Sequence, residues 1–259
     1  MSASRRAVVT GASRGIGRGI AVALAQAGHR VGLAARDADG LAQTAERALS
    51  AGAPAAVPLV TDIGDLDAAG ALPGRASDAL DGPIEILVHC AGIARNGPIG
   101  ELALEDWEES FRVNVSSLFV MTGRIAPAMA QRGWGRIVSV GSLYSRFGVA
   151  RTAAYASSKH AVLGLTRVLA AELAGHGVTA NCVVPGWVDT EMVRSEAAAA
   201  AAARGVTEDE IVRKFLVGQP IGRMVTPDEV GALVAYLAGD AAAPITGQAI
   251  NIDGGSHQG

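Results

Sequence analysis

Short apolar runs alternate with longer stretches of helical spacing along most of this chain. β-Branched runs fall at Arg6 to Thr10, Arg30 to Ala35, Ala55 to Val60, Ile84 to His89, Arg136 to Gly141, Val178 to Val184 and Gly247 to Ile252, each the length of a strand. Helical patterns lie between them: a stretch reaching Ala27, then Leu41 to Ala51, Asp65 to Leu80, Leu104 to Gln131, and a segment holding Tyr155 and Lys159 through Leu173. The strand runs are close to continuously apolar, so both faces of the sheet should be covered, as in a parallel sheet with crossover helices. The pattern predicts an α/β chain, a doubly wound parallel sheet of about seven strands flanked by helices on both faces.

Boundary residues refine this picture. Gly28 and Gly205 read as helix stops, Thr207-Glu208-Asp209-Glu210 has capping-box character, and Thr226-Pro227 reads as N-cap and first residue of a helix reaching Leu237. Glu196 precedes seven alanines, Ala197 to Ala203. Alanine is the best helix former, so this low-complexity run is either a mobile helical flap or codon bias. Asn114, between Val113 and Val115, is unfavourable inside a helix; it either faces solvent or, buried, bends the helix and holds a water. No repeat or linker divides the 259 residues, which read as one domain, 1–259, with a substrate flap at about 190–216.

Composition narrows the function. Hydrophobic residues make up 49% and charged residues 18%, which excludes disorder. A formal charge of −3 gives no reason to expect nucleic acid or a membrane surface as partner, and a small molecule is the expected ligand. Cys90 and Cys182 fall in apolar runs as small buried hydrophobes rather than a disulfide. The amino terminus shows no signal-peptide pattern and no run has the length of a membrane span, so a cytoplasmic location is expected.

Candidate chemistry gathers at strand ends. After the first strand comes Gly11-Ala-Ser-Arg-Gly15-Ile-Gly17, then a helix. Glycines let backbone amides approach a pyrophosphate, and the helix directs its positive end at the anion; a plain glycine turn is the competing reading. Arg36 follows the second strand where a dinucleotide fold would place an acid for the ribose 2′-hydroxyl. Together with Arg14 it could flank a 2′-phosphate, so NADP(H) is favoured and NAD(H) is the alternative. Asp37 reads as a helix N-cap or as that acid, and Asp62 as a turn residue or an acceptor for an adenine amino group. Ser142 ends the fifth strand. Tyr155 and Lys159, four apart, share a helix face, so the ammonium can stabilise the phenolate. A free phenol ionises near pH 10, and proton exchange near neutrality calls for about 3–4 kcal/mol of preferential anion stabilisation.

Taken together, Thr10-Gly11-x-x-x-Gly15-x-Gly17, Ala91-Gly92, Asn114, Ser142, Tyr155-x-x-x-Lys159 and Pro185-Gly186-x-x-x-Thr190 resemble the short-chain dehydrogenase/reductase family, from Arg6 to Gly255. The resemblance implies a single Rossmann-type catalytic domain. It implies Tyr155 as proton donor to a carbonyl oxygen, Lys159 as its electrostatic partner and ribose ligand, Ser142 as a hydrogen-bond donor to the substrate, and Asn114 as holder of a relay water. It further implies that Gly11, Ser13, Arg14, Gly15, Ile16, Gly17, Arg36, Asp62, Ile63, Ala91, Gly92, Pro185, Gly186, Val188 and Thr190 bind the cofactor. Where the family usually has Asn-Asn-Ala-Gly, this chain has His89-Cys90-Ala91-Gly92. Adjacent strand residues point to opposite faces, so His89 and Cys90 do not read as a metal site.

Substrate contacts are expected from Leu143, Phe147, Trp187, Met192 and Phe215, which suits a hydrophobic ketone or alcohol. The chain resembles 3-oxoacyl thioester reductases and polyketide ketoreductases most, with 3-hydroxybutyrate dehydrogenases as runner-up. Arg132 matches a carrier-docking position, whereas His176 stands where a second arginine is usual, which leaves a carrier-bound substrate open. A dinucleotide-binding protein without turnover is the reading from another class, and retention of Tyr155 and Lys159 speaks against it. The resemblance also implies a homotetramer.

Overall fold

The seven strands are β1 (Arg6–Thr10), β2 (Arg30–Ala35), β3 (Ala56–Val60), β4 (Ile86–His89), β5 (Gly135–Val140), β6 (Val178–Pro185) and β7 (Ala249–Ile252). They form one parallel sheet in the order β3-β2-β1-β4-β5-β6-β7. The computed structural model describes residues 4–257; residues 1–3, on which part of the reading of the amino terminus rests, lie outside the described residues. The chain runs outward from β1 to β3, then returns to β4 and runs outward the other way, so the order reverses between β1 and β4. At such a reversal the crossovers diverge to opposite faces and leave a crevice at the carboxyl ends of the strands.

The helices are α1 (Gly15–Gln26), α2 (Ala38–Ser50), α3 (Leu66–Ala79), α4 (Leu104–Phe111), α5 (Ser117–Arg132), α6 (Ala153–Leu173), α7 (Glu191–Arg204), α8 (Glu208–Leu216) and α9 (Pro227–Ala238). Two cores result, one on each face of the sheet. Leu72, Met121, Met129 and Val162 from α3, α5 and α6 fill one; Ile20, Leu24, Leu41, Val234 and Leu237 from α1, α2 and α9 fill the other. The alanine run folds as α7, and Ala197 and Ala201 pack on Ile211 of α8 in a small cluster of their own.

Helix ends follow the local chemistry. The Asp37 side chain accepts from the Gly40 N–H at 3.0 Å and caps α2. Thr207 with Glu210, and Thr226 with Glu229, form reciprocal capping boxes on α8 and α9. One boundary differs from expectation: the pattern from Leu104 to Gln131 is two helices joined by a π-helical turn at Arg112–Ser116. Asn114 sits in that turn, fully buried, because its amide satisfies a neighbouring backbone segment rather than solvent. β7 begins at Ala249 rather than Gly247, whose φ of 71° is left-handed and breaks extended pairing.

Candidate active site

The carboxyl ends of β1 and β4 are stitched by one hydroxyl: Thr10 Oγ1 accepts from both the Cys90 and the Ala91 N–H groups at 3.1 Å. Beyond Thr10 the glycine turn folds back so tightly that a Cβ on Gly17 would lie 2.1 Å from the Gly11 carbonyl oxygen. No side chain could stand there.

Asn114, Lys159 and Tyr155 come together beyond β4 and β5, with Ser142 at the end of β5. The Asn114 side chain accepts from the Ile93 N–H at 2.8 Å and donates to the Ile93 carbonyl and to Ser158 Oγ, each at 2.9 Å. Both amide hydrogens are thereby committed, so a water at this side chain would have to donate to it. Lys159, 4% exposed, donates from Nζ to the Val140 carbonyl at 2.8 Å, which docks its ammonium on the end of β5. A Cβ on Gly92 would stand 3.1 Å from Asn114 Oδ1 and 3.3 Å from Lys159 Nζ, so these side chains converge on one glycine. Lys159 Nζ lies 5.7 Å from the centroid of the Tyr155 ring. Ser142 follows β5 by two residues; its Oγ accepts from the Tyr144 N–H at 3.2 Å, leaving its own proton for donation.

Tyr155, Lys159 and Gly92 line a cleft of about 620 Å³, within the range of small-molecule and cofactor sites. Its walls include Gly11, Ser13, Arg14, Gly15, Ile16 and Gly17 from the turn, Arg36, Asp62 and Ile63 beyond β2 and β3, Ala91 and Gly92, Tyr155, Lys159, Thr190 and Met192. Asn114 and Ser142 stand outside this lining. So do Pro185, Gly186 and Val188, which form the β6 end and its continuation; Val188 pairs with Val225. Thr190 Oγ1 accepts from the Val193 N–H and caps α7. The amino end of α1 has no side-chain cap, so its first-turn amides are left to an anion in the cleft. Arg14 pairs with Glu191 at 3.1 Å and Arg36 with Asp62 at 3.9 Å, all four well exposed. Such loose surface pairs cost little to rearrange around a phosphate. The residues present fit a dinucleotide.

A family model described as enoyl-(acyl carrier protein) reductase matches residues 11–257. The chain belongs to the short-chain dehydrogenase/reductase family. It is 41% identical over 256 residues to a protein of Streptomyces virginiae named as a ketoacyl reductase of the monensin polyketide synthase, covering 98% of this chain and 97% of that one. It is 35% identical over 260 residues to the D-beta-hydroxybutyrate dehydrogenase of Rhizobium meliloti strain 1021, covering 97% and 98%. A solved actinorhodin polyketide ketoreductase variant, with NADPH, matches with a TM-score of 0.92 and 38% identity over 99% of each chain. This short-chain dehydrogenase/reductase is therefore an oxidoreductase of the ketoreductase kind.

Of the residues expected to touch substrate, Met192 lines this cleft, whereas Leu143, Phe147, Trp187 and Phe215 stand outside its lining. Tyr144 stands edge-on to Tyr155 with centroids 6.0 Å apart, and Phe147 is edge-on to Tyr144 at 6.0 Å and tilted against His257 at 5.7 Å. Trp187 stacks on Phe215 at 4.0 Å and 6°, fastening α8 to the end of β6. Leu143 is buried in the core with 9% exposure, while Met192 is open at 59%. Tyr144 lies in the 143–151 segment from which substrate contacts are expected, two residues after Ser142, though it is not singled out there. The sequence reading missed Gln219. This fully buried amide accepts from the Trp187 N–H at 3.0 Å and donates to the carbonyls of Trp187 and Arg223.

Among the described residues no group of three or more His, Cys, Asp or Glu side chains is placed to hold a metal ion. Ser117 Oγ gives its proton to the Val113 carbonyl at 2.7 Å, so His89 Nε2 is the donor in its 2.8 Å contact with that oxygen. Burial, aided by the Lys159 charge, pushes the imidazole pKa down to about 3. Burial also pushes the Cys90 thiol up to about 12, which keeps it protonated and unreactive. Arg132 donates to the Ile84 carbonyl at 3.0 Å, and His176 is exposed in the turn after α6. Among the described residues no helix is long and apolar enough to cross a membrane.

Proposed function

We propose that this chain reduces a hydrophobic ketone, a 3-oxoacyl thioester or a related polyketide, to a secondary alcohol with NADPH. The observation that carries the reading is the buried Lys159 ammonium, docked on the Val140 carbonyl beside the Tyr155 ring, at the wall of a cleft that begins at an uncapped glycine turn. The nicotinamide, when bound, supplies the hydride to the carbonyl carbon. Tyr155 holds the proton that goes to the carbonyl oxygen, and Lys159 stabilises the phenolate left behind. Ser142 donates its remaining proton to the same oxygen, orienting the ketone, and Asn114 keeps the Ile93 segment beside Lys159 and offers an acceptor to a relay water. Gly11 to Gly17 receive the pyrophosphate on backbone amides. The Pro185 to Thr190 segment, with the Val188 backbone and Thr190, receives the carboxamide.

Arg14 and Arg36 flank the adenosine side, and Asp37 is committed to capping α2, which favours a 2′-phosphate over a free 2′-hydroxyl. Exposed Phe119 on α5 and Val168 on α6, at 64% and 51%, support a homotetramer built through these helices. The test is a screen of ketones with both nicotinamides. Tyr155→Phe and Lys159→Ala should bind cofactor, measured by nucleotide fluorescence, yet lose at least about a hundredfold in turnover. Arg36→Ala should lose NADPH affinity and keep NADH affinity. Turnover at the parent rate in both Tyr155→Phe and Lys159→Ala would refute the mechanism.

A further inference from the structure

His89 is a buried imidazole that the proposed reaction does not use. It closes β4 at 1% exposure, and its Nε2–H donates to Ser117 Oγ at 2.8 Å. Ser117 opens α5, immediately after the π-helical turn Arg112–Ser116 that carries Asn114. One bond from the sheet therefore reaches the end of that turn.

The backbone register shows what this bond does. In a regular α-helix the Ser117 N–H would donate four residues back, to the Val113 carbonyl. Here it donates five back, to Arg112. The Ser117 hydroxyl takes the Val113 carbonyl instead, at 2.7 Å. A serine hydroxyl has one proton to give, and donation from His89 to its oxygen leaves that proton pointing at Val113. An extra residue in a turn shifts what lies on either side of it by about 100° around the helix axis, so the register decides whether Asn114 meets the core or solvent. Such π-helical turns are uncommon and recur at functional sites.

From this turn the fully buried Asn114 reaches the catalytic side of the fold. Its amide accepts from the Ile93 N–H at 2.8 Å and donates to the Ile93 carbonyl and to Ser158 Oγ, each at 2.9 Å. Ser158 gives its own proton to the Tyr155 carbonyl at 2.8 Å. A chain of bonds thus runs from the end of β4, through the turn, to the helix that holds Tyr155 and Lys159.

We propose that His89 and Ser117 are positioning residues: their hydrogen bond fixes the π-helical turn in the register that aims the Asn114 amide at Ile93 and Ser158, beside Lys159. The inference rests on the ketoreductase reading, in which Asn114 serves the proton relay, and adds the residues that hold it in place.

The test measures steady-state reduction of a ketone by the parent, His89→Leu, Ser117→Ala and His89→Gln, each alone and combined with Asn114→Ala. His89→Leu removes the donor, whereas His89→Gln keeps an N–H donor at about the same place. His89→Leu and Ser117→Ala should each lower kcat at least about tenfold, with nucleotide affinity by fluorescence within about twofold of the parent. His89→Gln should hold kcat within about threefold of the parent. In the Asn114→Ala background neither His89→Leu nor Ser117→Ala should lower kcat further, because the group they aim is gone. Ser117→Ala keeps the buried imidazole and decides the matter where His89→Leu does not fold. Parent kcat in Ser117→Ala and in folded His89→Leu, or the same loss repeated in the Asn114→Ala background, as general loosening would give, would overturn this proposal alone. A parent without turnover of any ketone with either nicotinamide would overturn it together with the ketoreductase reading.

Discussion

Gln219→Leu removes three hydrogen bonds made by a fully buried side chain. The amide accepts from the Trp187 N–H at 3.0 Å and donates to the Arg223 carbonyl at 2.6 Å and the Trp187 carbonyl at 3.3 Å. The Trp187 carbonyl keeps the Val225 N–H at 2.9 Å, so it stays satisfied. Two groups, the Trp187 N–H and the Arg223 carbonyl, are left without their partner. A buried polar group that loses its partner costs about 1–3 kcal/mol, and the total for the two is therefore about 2–6 kcal/mol. In a domain of this size each kcal/mol lowers Tm by roughly 2–4 °C, so a fall of about 4–24 °C is expected by calorimetry. The loss is local, because these bonds tie the far end of the α7–α8 flap to the segment that follows β6. Cleavage of the flap by a low concentration of protease should speed up, and fluorescence of Trp187, now stacked on Phe215, should shift. KM for the nicotinamide should rise more than kcat falls. A Tm within about 2 °C of the parent, with unchanged flap proteolysis, would refute the reasoning.

Other substitutions test separate parts of the site. Gly17→Ala places a methyl 2.1 Å from the Gly11 carbonyl oxygen, so the turn must open; dinucleotide affinity, titrated by nucleotide fluorescence, should drop at least about tenfold, with the helical circular dichroism retained. His89 is held neutral by burial, with its pKa at about 3 against 6.5 in the unfolded chain. Between those values the unfolded state binds the extra proton, so this group costs stability as pH falls from 6.5 towards 3 and nothing above 6.5. Urea unfolding of the parent should lose up to about 1.4 kcal/mol per pH unit in that window from this group, and His89→Asn should flatten the slope.

The alternation of apolar runs was enough to specify the parallel sheet, and the positions of the strand ends followed to within one or two residues. The Tyr155 and Lys159 pairing was equally legible, since side chains four apart on a helix share a face whatever the helix packs against. The same holds for the caps at Thr207 and Thr226, which bond within their own first turn. These features depend on chain geometry within a few residues. Asn114 was different: the sequence allowed solvent or core, and the choice fell to a hydrogen-bonded segment at Ile93, 21 residues away. Gln219 reaches back 32 residues to Trp187, and Tyr144 gains its place beside Tyr155 only when the turn after β5 folds onto α6. Whether a polar side chain is satisfied depends on which distant backbone groups the closed fold brings within about 3 Å, and no local pattern carries that distance.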